Sequence, residues 1–176
     1  MLGFLLSPIL SASSFPGSSE YYAHFRYAGA RFLPYLDRSW LRLTAQGIAE
    51  SNLDANARSP AGAIGVMQFM PATWAECTQA LNLSKYTPPT YAKANIICGG
   101  WYMNRRMRVW SGRDRDPIDQ WPLALSDYNG GGKITLRAQR NCNDALLWKD
   151  TEPCHPYRET RTYVFRVQRI FDGLSQ

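Results

Sequence analysis

One carboxylic acid, Glu50, closes an apolar helical pattern and is the first candidate for chemistry. The apolar positions before it are Leu41, Ala45, Ile48 and Ala49, and small residues and amides follow between positions 51 and 68. A carboxyl at the end of an apolar helix face is partly desolvated, which favours its neutral form and raises its pKa toward the range of a general acid. We therefore expect Glu50 to be the catalytic acid. The alternative is a solvated charge at a helix end.

Two other kinds of active site fail on specific positions. The run Gly130–Lys133 has the glycines of a phosphate-binding loop, but Asp127 and Ile134 occupy positions where that motif requires Gly and Ser or Thr. The only histidines are His24 and His155, and neither accompanies a nucleophile elbow. A nucleotide-binding loop and a serine or cysteine triad are therefore not indicated.

The helical elements that must position Glu50 can be located from their starts and stops. We expect Ser39 to cap the helix that carries Glu50, and Pro71 to begin the helix after a glycine-rich turn at Gly62–Gln68. Further helical patterns follow Pro88 and Pro89, begin at Pro117, and run from Thr160 to Leu174. The pattern predicts a mainly α domain with a small glycine-rich turn or ribbon beside the catalytic helix.

The long helix after Pro89 contains two adjacent glycines. Gly99 and Gly100 lower its helix propensity, so we expect them to permit close packing against another element. At 176 residues, of which 45% are hydrophobic, the chain fits one domain with a real core. No apolar run has the length of a membrane span.

Four ordered blocks resemble the soluble lytic transglycosylase family of the lysozyme-like superfamily, whose members cleave peptidoglycan. The resemblance runs from about Asp37 to about Phe171. The blocks are Glu50–Asp54 through Ser59 to Gly62–Pro71; Asn95–Met103; Ala124–Gly131; and Glu159–Val167. Four blocks in the same order and spacing are far more specific than any one motif. The resemblance implies an α+β lysozyme-like fold with a mainly helical body.

The resemblance also implies a reaction. Glu50 would protonate the β-1,4 bond between N-acetylmuramic acid and N-acetylglucosamine, then act as base, giving a 1,6-anhydromuramoyl end without consuming water. No cofactor is implied. The alternatives are a hydrolytic muramidase, and a structural component of a virion or secretion machine that binds glycan without cleaving it.

The residues that match the family's substrate site surround this acid. Ser59 and Gln68 are expected to bond the sugar, Met70 to line the cleft, and Asn129 to shape the turn after Tyr128, which lies near Glu50. Glu159 matches a glutamate at the edge of the site, and its alternative role is that of an acid favoured by a helix N-terminus. The site comprises Glu50, Ser59, Gln68, Met70, Tyr128, Asn129 and Glu159.

Glycoside cleavage usually requires two carboxyls, and a second one is not evident. Asp54 and Asp127 are interpreted as surface or capping groups. Tyr163 is interpreted as a core residue rather than a ligand.

The four cysteines lack the Cys-x-x-Cys spacing of a zinc site, so a metal centre is not expected. Four cysteines allow three pairings. In an oxidising compartment such as the periplasm, the local pairs are Cys142 with Cys154 and Cys77 with Cys98.

The net charge of +6 indicates an anionic partner, and arginines concentrate in the segment from Arg105 to Arg115. These arginines form either a solvated helix face or a surface that attracts acidic wall polymers. They are not interleaved with a nucleic-acid-binding motif, so nucleic acid is not the expected partner. The expected partner is the peptidoglycan glycan strand.

The N-terminal part, residues 1–36, is expected to form an apolar arm and a short helical lead-in to a catalytic domain at 37–176. No Lys or Arg precedes Met1–Leu10, which favours an uncleaved arm over a signal peptide. The arm would pack on the domain or on another virion or secretion-system protein, or fray. The resemblance implies action in the periplasm or cell wall of a target bacterium, with phage delivery favoured over bacterial export.

Overall fold

The computed structural model describes residues 19–112 and 114–176, which are almost entirely helical. The predicted apolar arm at Met1–Leu10 and Arg113 lie outside the described residues. The helices are α1 (Ser19–Phe32), α2 (Ser39–Ser51), α3 (Pro71–Ala80), α4 (Ala92–Val109), α5 (Pro117–Gly130), α6 (Gly132–Asn141), α7 (Trp148–Thr151) and α8 (Arg158–Leu174), with a 3-10 turn at Glu152–Cys154. The prediction of a mainly α fold is confirmed.

Helix starts follow local chemistry at two of the predicted positions. Pro71 and Pro117 each occupy the first turn of a helix, where the missing N–H of proline costs nothing. Asp116 caps α5 by accepting a hydrogen bond from the N–H of Ile118. The predicted cap at Ser39 is wrong, because α2 begins at Ser39 and its capping position is Arg38, in a left-handed conformation.

The helices pack around one apolar core. Helix α1 lies against α2 and α4, α2 packs on α8, and α5 contacts α4, α6 and α8. Fully buried side chains come from most of these helices, including Phe25, Leu43, Met103, Trp121 and Val164. The amphipathic pattern of α8 is confirmed by burial of Tyr163, Val164 and Val167 on one face. The catalytic candidate therefore sits on a helix packed on two sides.

The segment between α2 and α3 forms the predicted small ribbon. Ile64 makes isolated antiparallel bridges with both Arg58 and Phe69. The ribbon rests on α4, where Asn95 is fully buried and its Oδ1 accepts a hydrogen bond of 2.7 Å from the N–H of Met67. A Cβ on Gly99 would lie only 2.8 Å from Met67. Gly99 therefore permits the close packing of α4 against another element that the sequence predicted.

Two disulfides brace the domain, and they are the local pairs favoured from the sequence. Cys77 and Cys98 join α3 to α4, and Cys142 and Cys154 close the segment that contains α7. The sequence did not predict α6 and α7, because helices of 10 and 4 residues are shorter than the stretch over which a helical repeat can be recognised. Among the described residues, none of the helices combines the length and the apolar composition that a bilayer span requires.

We expect Gly65→Ala to destabilise the domain more than Gly62→Ala. Both glycines have positive φ, 86° and 92°, so backbone strain of about 1 kcal/mol is common to both changes. A Cβ at Gly65 would also lie 2.4 Å from Asn95 and from the carbonyl of Pro89, whereas Gly62 faces open space. The added overlap should cost about 1–3 kcal/mol more in urea unfolding. Equal losses for the two variants would contradict the packing described here.

Candidate active site

Glu50 lies one residue before the end of α2, where the chain reverses direction. Asn52 and Leu53 adopt left-handed conformations, and the N–H groups of both bond back to carbonyls of the last helical turn. The next residue, Ser51, donates a hydrogen bond of 2.9 Å to the carbonyl of Val66 in the ribbon. The end of α2 and the ribbon are therefore fixed against each other around Glu50.

The carboxyl of Glu50 is held in a largely desolvated environment. The residue keeps part of its surface accessible. Burial nevertheless raises its pKa to about 7. The hydroxyl of Tyr163 and the charge of Arg166 act in the opposite direction, because each stabilises the carboxylate. Near neutral pH this group is therefore distributed between its protonated and ionised forms.

Tyr163 of α8 is the direct partner of this acid. Its hydroxyl donates a hydrogen bond of 2.6 Å to Oε1 of Glu50, and burial is the main reason why its own pKa is raised well above the usual value. The buried side chain of Gln46, one turn before Glu50, also approaches this hydroxyl. Interpreting Tyr163 only as a core residue was incomplete. A tyrosine on a buried helix face needs a partner for its hydroxyl, which is the signal that could have identified it.

Tyr128 is hydrogen-bonded to the ribbon and lies close enough to the acid to be affected by its charge. Its hydroxyl donates to the carbonyl of Met67, and its ring packs edge-on against Tyr102 with centroids 5.2 Å apart. Burial and then the nearby charge of Glu50 raise its pKa well above the usual value. The sequence-based placement of Tyr128 close to Glu50 agrees with this geometry.

An open groove of about 480 Å³ runs past the acid between the ends of α2 and α5 and the start of α8. Three of the predicted site residues line it: Glu50, Asn129 and Glu159. The remaining lining residues are Ala49, Arg158, Thr162, Tyr163 and Arg166. Sequence reasoning counted none of these five among the site residues. The four that come from α8 reach Glu50 only because α8 packs on α2.

Besides Tyr128, three predicted site residues do not line this groove. The hydroxyl oxygen of Ser59 accepts a hydrogen bond of 2.9 Å from the N–H of Ala63. The amide nitrogen of Gln68 donates to the carbonyl of Gly65 at 2.9 Å. Met70 is 44% exposed at the start of α3. The first two side chains stabilise the ribbon, and a contact of any of the three with a sugar stays a prediction.

The two aspartates differ from each other in environment. Asp54 is exposed and bonds the N–H of Asn56 two residues on, as a local turn residue does. Asp127 is not a surface group, because it is 3% exposed and accepts hydrogen bonds from Trp110 and Arg106. A capping role agrees with the hydrogen bond that it also accepts from the backbone of Gly132, the first residue of α6. The other carboxyl in the groove is that of Glu159. Residues 19–112 and 114–176 contain no cluster of acids, cysteines or histidines suited to a metal.

Three arginines of the arginine-rich segment are engaged in contacts with other residues of the protein. Arg105 pairs with Glu76 at 2.8 Å, and Arg106 pairs with Asp127 at 3.3 Å. Arg115 donates to the carbonyls of Leu146, Trp110 and Gly112. The cations that face the groove are instead Arg158 and Arg166 of α8.

Comparison with known proteins places this geometry in context. Residues 38–150 match the family model described as Transglycosylase SLT domain. The fold is similar to that of the 70 kDa soluble lytic transglycosylase from Escherichia coli, with a TM-score of 0.69 and 21% identity over 93% of this chain. It is also similar to an inactive mutant of the lytic transglycosylase Slt from Pseudomonas aeruginosa, with a TM-score of 0.70 and 22% identity over 94% of this chain. The chain spans only 25% and 26% of the lengths of these two proteins. No curated protein sequence matches it.

We expect Tyr163→Phe to raise the pKa of Glu50 further above 7. The substitution removes a hydrogen bond that stabilises the carboxylate and leaves the buried ring in place. The titration can be followed by NMR of protein labelled with ¹³C at the glutamate carboxyl. Tyr35→Phe is the matched control, because it also removes a tyrosine hydroxyl, but one that bonds Asn104 and not Glu50. A Glu50 pKa unchanged by Tyr163→Phe would contradict the geometry of the pair.

We expect Glu50→Gln to stabilise the protein at neutral and alkaline pH. The folded-state pKa is raised from 4.5 to about 7, so the folded protein binds a proton that the unfolded chain has lost. Relative to the Glu50→Gln variant, the stability of the wild type should therefore fall as pH rises from about 4.5 to 7 and be constant above. The difference should reach up to about 3 kcal/mol in urea unfolding. A difference that does not vary with pH would show that Glu50 titrates normally.

Proposed function

Because the chain belongs to the Transglycosylase SLT domain family, we propose that it is a peptidoglycan lytic transglycosylase in which Glu50 is the single acid and base. The observation that carries this proposal is the pKa of about 7 at a carboxyl that borders an open groove. A general acid of that pKa is partly protonated at neutral pH, and its conjugate base is strong enough to take a proton back.

In the first step, the protonated Glu50 donates its proton to the glycosidic oxygen between N-acetylmuramic acid and N-acetylglucosamine. The bond from that oxygen to the muramoyl C1 breaks, which releases the N-acetylglucosamine hydroxyl and leaves positive charge at C1. The muramoyl N-acetyl group supports this charge. No second carboxylate is then required at C1.

In the second step, the muramoyl C6 hydroxyl attacks C1 and its proton passes to the Glu50 carboxylate. The product is a 1,6-anhydromuramoyl end, and Glu50 is protonated again without a water molecule entering the reaction. Tyr163 bonds Oε1, so Oε2 is the oxygen available to exchange this proton with the sugar. The same bond stabilises the carboxylate that exists between the two steps.

The remaining site residues have proposed roles that follow from their positions. Asn129 and Glu159 line the groove and can bond the sugar directly. Tyr128 fixes the ribbon at Met67 close to the acid. Ser59, Gln68 and Met70 belong to the ribbon or directly follow it, and we assign them to the sugar that lies beyond the groove.

A hydrolytic muramidase is the second candidate, and one observation favours it. Glu159 brings a second carboxyl to the same groove, where it could activate water for attack on C1. A glycan-binding component without activity is the third candidate. The raised pKa of Glu50 argues against it, because a merely structural carboxyl gains nothing from desolvation.

The proposed setting is the periplasm or cell wall of a bacterium. Disulfides persist in oxidising compartments, and two of them brace this domain. Delivery by a phage virion or lysis system, or with a secretion machine, follows only from the sequence resemblance and stays a prediction.

Digestion of purified sacculi followed by mass spectrometry tests the reaction. We expect fragments with anhydromuramoyl ends, lighter by one water than the products of a hydrolase. Glu50→Gln should lower the rate by about 10²–10⁴-fold, since it removes the proton donor.

Glu159→Gln is the matched control in the same groove, and it should retain anhydro products. Two results together would establish the muramidase instead: the wild type gives fragments that have gained a water, and Glu159→Gln no longer gives them. Clearing of sacculi by Glu50→Gln at the wild-type rate would show that another residue carries the reaction.

A further inference from the structure

A buried glutamine beside the active site lacks an ordinary partner. Gln46 lies in the middle of α2 and is 0% exposed. Among the described residues, neither its amide nitrogen nor its amide oxygen has a hydrogen-bond partner of ordinary geometry. Burying an amide without such partners costs stability. A contribution to folding therefore does not explain why this position carries an amide.

Two other buried glutamines show what an ordinary structural amide does. Gln120 donates from Nε2 to the carbonyl of Arg115 at 2.7 Å, and Gln139 donates to the carbonyl of Ala145 at 2.8 Å. Each of these bonds satisfies a buried amide and ties a helix to the segment next to it. Gln46 makes no comparable bond to the backbone of the described residues, so its role lies with its polar neighbour.

That neighbour is the hydroxyl of Tyr163. Gln46 precedes Glu50 by four residues, which places both side chains on one face of α2. Tyr163 of α8 reaches this face, where its hydroxyl donates to Oε1 of Glu50 at 2.6 Å. Burial is the main cause that raises the pKa of this hydroxyl, and Gln46 lies close enough to act in the opposite direction. The three polar groups therefore lie in one row, from Gln46 through Tyr163 to Glu50.

The chemistry of this hydroxyl decides which end of the amide it meets. Tyr163 has one hydroxyl proton, and Glu50 accepts it, so the tyrosine oxygen can only accept from Gln46. An N–H that donates to a phenolic oxygen favours its ionised form, which agrees with the direction in which Gln46 acts on the pKa of Tyr163. Contacts between catalytic groups are often long before substrate binds and shorten in the complex. Because hydrogen bonds in a chain polarise one another, this contact strengthens the bond to Glu50.

We propose that Gln46 is a positioning residue, whose amide N–H donates to the Tyr163 oxygen and keeps the tyrosine proton directed at Oε1 of Glu50. A hydroxyl that is free to rotate could instead accept a proton from Oε1, and that proton would then face the protein rather than the sugar. With Gln46 in place, the catalytic proton resides on Oε2, toward the glycosidic oxygen. Only this kinetic consequence rests on the proposed function, because the row of hydrogen bonds exists without a substrate.

Gln46→Met tests the row directly, because methionine keeps a similar volume and removes the amide. Without the amide, the Tyr163 hydroxyl is a weaker donor to the carboxylate, so the pKa of Glu50 should rise, but less than it does in Tyr163→Phe. We expect the ratio of protonated to ionised Glu50 at neutral pH to increase about threefold. NMR of protein labelled with ¹³C at the glutamate carboxyl measures this ratio.

A double variant separates positioning from packing. In the Tyr163→Phe protein, Gln46→Met should leave the titration of Glu50 unchanged, because the hydroxyl through which Gln46 acts is absent. Every variant keeps the other charged and titratable groups around Glu50, which are Tyr128, Arg158, Glu159 and Arg166. An equal shift with and without the tyrosine hydroxyl, or no shift in the single variant, would overturn the inference.

Gln120→Met is the matched control, since it removes a buried glutamine amide whose partner is the backbone of Arg115. It should leave the pKa of Glu50 unchanged, and a shift equal to that of Gln46→Met would overturn the inference. If Gln46→Met does not fold, the wild type still decides. Its Gln46 side-chain N–H signals should move as Glu50 titrates, and signals that stay constant would likewise overturn the inference.

Cleavage of soluble glycan strands connects the row to the proposed reaction. Gln46→Met should lower kcat about threefold with KM unchanged, since fewer protons face the sugar, and should move the alkaline limb of the pH profile upward. Gln120→Met should preserve both. The expected titration in a protein that cleaves nothing, or that adds water to its products, would reject the proposed reaction and leave this inference intact. An unchanged titration in an active transglycosylase would do the reverse.

Discussion

The hydrogen bond between the hydroxyl of Tyr163 and the carboxyl of Glu50 is the contact on which the site depends. It joins α2 to α8 at the edge of the core, in surroundings dry enough to raise the pKa of the acid to about 7. Without a polar partner, a buried carboxylate would be very costly, and in bulk water it would be ionised at neutral pH. In the pair with Tyr163, the carboxyl of Glu50 is buried but hydrogen-bonded, so both of its protonation states are accessible near neutral pH.

The rest of the domain keeps that pair in place from several directions. Asn95 of α4 fixes the ribbon at Met67, and Tyr128 of α5 bonds the same residue through its carbonyl. Gly99 allows α4 to approach Met67 of the ribbon closely. Because these contacts come from separate helices, the acid is positioned by tertiary packing rather than by its own helix.

The clustered arginines of the sequence are not the cations that lie beside the groove. The arginine-rich segment gives the chain much of its positive charge, yet Arg105 and Arg106 pair with acids of the protein itself. The cations that border the groove at Glu50 are instead Arg158 and Arg166 of α8. A net charge of +6 is therefore a property of the whole chain, whereas the cations beside Glu50 come from one helix.

The sequence alone determined the features that depend on local order along the chain. Prolines at helix starts, the glycine-rich ribbon, the amphipathic α8 and the four ordered blocks around Glu50 all have local signals, and so did the pairing of nearby cysteines. Tertiary structure decided the rest: the bond from Tyr163, the burial of Asp127, and the groove formed by Arg158, Thr162 and Arg166. These depend on contacts between residues far apart in the chain, and neither helical periodicity nor residue type specifies which buried side chains meet.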